Sequence, residues 1–240
     1  MPVDAAVLDV DGTVATCPYD FDAMRAAIAE IAARWRVEAR ELGVRGVIEQ
    51  IEVIAEQLGE NGGAFRREAD EAVSAIEVAA ARNARLLPGA AEALAELRAH
   101  GVAIALITRN CRAASDIVLR GFENYAILLT RDDVPVAKPD PDHVLRALAA
   151  VGRGTEGAVV VGDHGYDMQA GRAAGVRLCV GVRSGNSPDA ALLQAGADAV
   201  IESVADLPRW LRDRGELPVP LAPSEVEESG VEGSGVEGPQ

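Results

Sequence analysis

From residue 88 onward the chain alternates short apolar runs with amphipathic stretches, and that alternation leaves few folds open. "VAIALIT" (102–108), "AILLT" (126–130), "GAVVVG" (157–162), "VRLCVGV" (176–182) and "ADAVI" (197–201) read as buried strands. Between them, segments such as "GAAEALAELRAHG" and "PDHVLRALAAVG" place apolar residues three or four apart, as helices do. Strand–helix alternation predicts an α/β fold, a Rossmann-like parallel sheet flanked by helices on both faces. The apolar run that ends at Asp9 supplies a first strand to this sheet.

Residues 15–87 break the rhythm. They hold no convincing strand and read as helices over roughly 20–36, 44–59 and 64–86. In "FDAMRAAIAEIAARW", Phe21, Met24, Ile28, Ile31 and Trp35 fall on one stripe. The expected organisation is therefore a core of residues 1–14 and 88–217, with a small all-helical cap (15–87) inserted after the first strand. Residues 218–240 carry five Glu, no basic residue and two copies of "SGVEG", and read as a disordered acidic tail.

Charge narrows the partners. A net charge of −15 argues against nucleic acid or an anionic membrane surface. No apolar run approaches the roughly 18 residues of a membrane helix. The three cysteines are scattered, with no paired zinc spacing, which fits a reduced, cytoplasmic protein. Of 23 basic residues 22 are Arg; the single Lys, at 138, points to a position that needs a compact ammonium.

The stretch "AAVLDVDGTV" delivers two carboxylates, Asp9 and Asp11, to the end of a buried strand. Positions two apart on a strand share a face, so the pair repels unless a cation is supplied. Asp-Gly between apolar residues is also a hairpin signal. Ligands of such sheets bind outside the carboxyl ends of the strands, so what stands at the other ends matters. The strand at 102–107 runs into Thr108-Arg109-Asn110, Lys138 opens "KPDPD", and the strand at 158–161 ends at Gly162-Asp163, with Asp167 four residues on.

In this order "DVDGT", "TRN", "KPDP" and "GDHGYD…AGRAAG" resemble the four motifs of the haloacid dehalogenase-like hydrolase superfamily. The insert sits where the helical cap of its phosphoglycolate phosphatase-like branch lies. The resemblance spans about residues 3–212. It implies a Mg2+-dependent phosphatase acting on small phosphomonoesters, phosphoglycolate-like or sugar phosphates, through an aspartyl-phosphate.

On that reading Asp9 is the nucleophile, and Asp11 protonates the leaving alcohol and later activates water. Thr108, Asn110 and Lys138 bind the phosphoryl group. Asp163, the Asp9 carboxylate and the Asp11 main-chain carbonyl hold Mg2+, with Asp167 supporting them directly or through water. The divalent ion and Lys138 offset the overall negative charge where a phosphate must bind.

Lesser candidates get blander readings. Arg109 could touch substrate but is expected in a surface ion pair; His164 could be catalytic but is expected on the rim of the site. Cys17 and Cys111 are expected to be small buried residues with no role. Arg45, in "GVRGV", is the candidate substrate reader from the cap.

A phosphosugar mutase would share every core residue and is left open. Asp11 argues against a dehalogenase, because a halide leaves without protonation. An insert without lysine argues against a phosphonate-cleaving relative that works through a Schiff base. A phospho-accepting signalling or binding module is the remote alternative; signalling receivers are about half as long and lack a cap.

Overall fold

The computed structural model describes residues 2–37 and 46–220. Arg45 and residues 221–240, most of the expected tail, lie outside the described residues. Strands β1 (Ala5–Asp9), β4 (Ala103–Ile107), β5 (Ile127–Leu129), β6 (Ala158–Gly162), β7 (Leu178–Val182) and β8 (Ala199–Ile201) form a six-stranded sheet in the order β5-β4-β1-β6-β7-β8. Every pairing in it is parallel. The predicted α/β class and Rossmann-like sheet stand.

The unbroken apolar strands follow from burial on both faces. Along β1, Ala6 and Leu8 pack into one core, with Leu94 and Leu97 of α4 (Ala90–Ala99) and Leu207 and Leu211 of α9 (Leu207–Asp213). Ala5 and Val7 face the other way, against Val144 and Leu148 of α6 (Pro141–Ala150) and Met168 of α7 (Gly165–Ala173). From β1 the sheet grows first through β4 to β5, then on the opposite side through β6, β7 and β8. The carboxyl ends of β4 and β6 therefore flank that of β1, where a parallel sheet opens its binding crevice.

Between β1 and β4 the chain makes α1 (Phe21–Arg34), α2 (Val47–Gln57) and α3 (Gly62–Ala81). They close on a core of their own, built from Met24, Ile28, Ile31, Ile51, Ile54 and Phe65. Phe21, expected on the buried stripe, is 46% exposed, because it stands at the first turn of α1 beyond that core.

The reading of 15–87 as free of strands needs correction. β2 (Ala15–Thr16) and β3 (Arg85–Leu86) pair antiparallel, so α3 ends at Ala81 and Arg85–Leu86 leaves the helix expected to run to 86. Two-residue strands carry no periodicity for a sequence reading to detect. Pro218, the first residue of the expected tail, lies among the described residues, its carbonyl 2.5 Å from His100 Nδ1.

Candidate active site

β1 stops at Asp9, and the chain then turns tightly: the Gly12 N–H donates to the Ala15 carbonyl at 2.7 Å, with Gly12 at φ +82°. Glycine is suited to that left-handed conformation, and a Cβ there would also stand 2.6 Å from the Asp163 carboxylate. The Asp-Gly turn signal and the acidic pair are thus both realised. Asp11 sits in the turn, where its Oδ1 accepts the Cys17 N–H at 2.9 Å.

Lys138 is the centre of the charge arrangement. Its Nζ donates to Asp9 Oδ1 and, at 2.5 Å, to Asp167 Oδ1, and it is only 4% exposed. The backbone that carries it is anchored too: the Lys138 N–H donates to His143 Nδ1 at 3.2 Å, while His143 Nε2 lies 3.1 Å from the Leu129 carbonyl. Asp167 is held from the other side, its Oδ2 accepting the His164 N–H at 3.0 Å in a capping box at the start of α7.

Carboxylate oxygens of Asp9, Asp163 and Asp167 lie within 4.8 Å of one another. Burial, then the neighbouring Asp9 charge, pushes the Asp11 carboxyl up to about 7. Burial, then Asp167, pushes Asp163 up to about 6. Asp9 is raised by burial, which outweighs the opposing pull of Lys138. Lys138 itself is lowered by burial, but Asp167 and Asp9 together raise it. Four carboxylates around one ammonium leave a negative excess, and clustered hard oxygen donors suit Mg2+. The donor set fits such an ion.

Thr108 follows β4 and is 1% exposed; its Oγ1 accepts the Asn110 N–H at 3.2 Å. Asn110 Nδ2 donates to the Tyr19 hydroxyl at 2.9 Å. The four carboxylates, Thr108, Asn110 and Lys138 open onto one cavity of about 670 Å3 at the carboxyl edge of the sheet, roofed by Phe21, Met24, Val47 and Ile48 of the insert. The structure thus brings together Asp9, Asp11, Thr108, Asn110, Lys138, Asp163 and Asp167. Arg45 lies outside the described residues, although its neighbour Gly46 lines the cavity.

One expectation changes and another is extended. Arg109 is not in a surface pair: it lines the cavity, donates to Glu49 Oε1 at 2.6 Å, and stacks 4.7 Å from the Tyr166 ring centre. His164, beyond lining the rim, caps α7 by accepting the Tyr166 N–H on Nδ1 at 3.2 Å.

Sequence reasoning also missed a group after β7. The Asn186 N–H donates to Asp163 Oδ2 at 3.3 Å, Ser184 Oγ donates to the Gly12 carbonyl at 2.7 Å, and Gly185 approaches Asp163 so closely that a Cβ would collide. "RSGNSP" carried a turn signal, but nothing in it pointed to a carboxylate elsewhere in the chain. The buried pair Glu77–Arg131 was missed for the same reason, since its members are 54 residues apart.

A profile of the haloacid dehalogenase-like hydrolases matches residues 3–175. The chain belongs to this family. A phosphoglycolate phosphatase from Cupriavidus necator is 32% identical to it, over 93% of this chain and 97% of its own length. A phosphoglycolate phosphatase from Thiobacillus denitrificans is 27% identical, over 86% and 94%. Among solved structures, a hydrolase from Pseudomonas syringae superposes with a TM-score of 0.63 at 25% identity, covering 90% of this chain and 100% of that one. A phosphonoacetaldehyde hydrolase-like protein from Oleispira antarctica shares the fold at a TM-score of 0.66 and 23% identity, over 91% and 96%.

Proposed function

We propose that this hydrolase is a Mg2+-dependent phosphatase that cleaves small phosphomonoesters through an aspartyl-phosphate on Asp9. The observation that carries the reading is Lys138, whose ammonium bridges Asp9 and Asp167 at the carboxyl edge of the sheet, beside Asp11. The relatives named for phosphoglycolate phosphatase activity support the same class of substrate.

On this reading Asp9 attacks phosphorus and the P–O bond to the alcohol breaks. Asp11, in the turn beside it, hands a proton to the departing oxygen and takes one from the water that later cleaves the acyl phosphate. Thr108 Oγ1, the backbone at Asn110 and Lys138 Nζ orient the phosphoryl oxygens and neutralise their charge. Asp9, Asp163, Asp167 and the Asp11 main-chain carbonyl are the groups that would hold Mg2+. When bound, that ion would offset the negative charge of the carboxylates and the phosphoryl group.

The helices between β2 and β3 act as the cap that roofs the cavity, and Arg45 is our candidate reader from that side. The substrate is a small phosphorylated metabolite, and we place the reaction in the cytoplasm on the scattered, unpaired cysteines. The test is phosphate release from a panel of phosphomonoesters, with EDTA and after Mg2+ is restored. Net release of phosphate that requires the ion supports the phosphatase. Isomerisation without release points to a mutase, and an undiminished rate in EDTA overturns the metal assignment.

A further inference from the structure

The geometry points to Arg109 as the group that reads a second anion on the substrate, a carboxylate carried by the leaving alcohol and bound in the place that Glu49 now fills. This rests on the phosphatase reading of the neighbouring site and deepens it: within the phosphoglycolate-like esters already named, it assigns the residue that reads the carboxylate. Three observations converge on Arg109.

The first is position. Thr108 and Arg109 are consecutive at the end of β4, and both line the cavity. Adjacent Cα atoms are only about 3.8 Å apart. A phosphoryl group held at Thr108 and an anion held at Arg109 are thus within reach of one small molecule.

The second is the lining. The insert roofs the cavity with Phe21, Met24, Val47 and Ile48, whose side chains are apolar and carry no charge to pair with an anion. Lys138 is committed to Asp9 and Asp167, and Arg25 to Asp22 at 3.0 Å. Among the described residues that leaves the Arg109 guanidinium, side chain 20% exposed and lying over the Tyr166 ring, as the planar fork suited to a carboxylate.

The third is Glu49 itself. It meets Arg109 through one oxygen only; Oε2 is buried and has no hydrogen-bond partner among the described residues. A fork that can hold a carboxylate with two parallel bonds is thus gripped by one from α2. A buried acceptor without a donor is also costly. Glu49 is therefore a replaceable occupant, and a substrate carboxylate takes its place on the guanidinium as the ester enters.

The test compares 2-phosphoglycolate with its neutral carboxamide, two esters that differ in the charge read by Arg109. Wild-type enzyme should favour the carboxylate at least tenfold in kcat/KM. Arg109→Gln should cut that preference by tenfold or more, mainly through KM. Arg109→Lys should restore part of it, and Glu49→Gln should lower KM for the carboxylate ester severalfold by removing its competitor. Equal losses on both esters in Arg109→Gln, or a wild-type enzyme indifferent to the charge, would overturn the proposal. Should neither ester be hydrolysed, the phosphatase reading fails on its own, and calorimetric Kd ratios for the two esters on wild type and Arg109→Gln decide the carboxylate site by the same criterion.

Discussion

Arg131 and Glu77 form a buried ion pair, with Nη1 2.7 and 2.8 Å from the two carboxylate oxygens, and both residues also grip the backbone that follows β4. Arg131 Nη1 donates to the Arg109 carbonyl at 3.0 Å, and Glu77 Oε2 accepts the Cys111 N–H at 2.9 Å. The pair thus ties α3 of the insert to the loop that presents Thr108 and Asn110. Truncating one member leaves the other charge buried and unpaired, a loss of about 3–5 kcal/mol. Arg131→Met should lower unfolding stability by that order in chemical denaturation. Adding Glu77→Leu should recover part of it, and a single variant as stable as wild type would show the pair to be dispensable.

Lys138→Arg tests why a chain that uses arginine everywhere else keeps one lysine. Between Asp9 and Asp167 there is room for a compact head, not for a planar fork. A displacement of about 1 Å in a reacting group can cost roughly a hundredfold in rate. We expect a fall of that order in kcat with the circular dichroism spectrum unchanged. Turnover above half of wild type would show that the ammonium is not required there.

Asp9→Asn should end turnover and remove the covalent phosphate. An amide is a far weaker nucleophile than a carboxylate, while the side chain keeps its size. Rapid acid quench followed by mass spectrometry locates any phosphate retained on the chain. Phosphate still found at residue 9 in the variant would displace this residue from its assigned role.

His143 gives stability a pH dependence. Burial lowers it from 6.5 to about 4, with the positive charge of Lys138 acting in the same direction. The Leu129 carbonyl, Asp167 and Asp133 oppose that effect. In that window the unfolded chain binds a proton that the folded one refuses. The stabilisation is present above about pH 6.5 and is lost as pH falls towards 4, on the order of 3 kcal/mol in all. The raised carboxylates of the site act in the opposite sense, so the quantity to measure is wild type minus His143→Asn at each pH. A difference that stays constant from pH 7 to 4 would rule the effect out.

Much of the floor of this site was legible in the sequence because its residues close buried strands, and strand ends show in apolar patterning. Asp9, Thr108 and Asp163 stand directly after such runs, and a parallel sheet gathers those ends at one edge. Lys138 was betrayed by composition. What stayed hidden depends on contacts between remote segments: Glu49 on Arg109, Glu77 on Arg131, Asn186 on Asp163. Each of these lies in a helix or turn whose local pattern is satisfied without the partner. β2 and β3 were missed for a different reason, being too short to have a pattern.

That small ribbon has a consequence for what the insert can be. Ala15–Thr16 lies against Arg85–Leu86, and the Leu87 N–H donates to the Val14 carbonyl at 2.9 Å, so the chain leaves the sheet and rejoins it at neighbouring points. Whatever is threaded between those points is closed by a fixed clasp and adds little loop-closure entropy as it lengthens. The ribbon works as a socket: one helical cassette can be exchanged for another while the tip of β1 keeps its place.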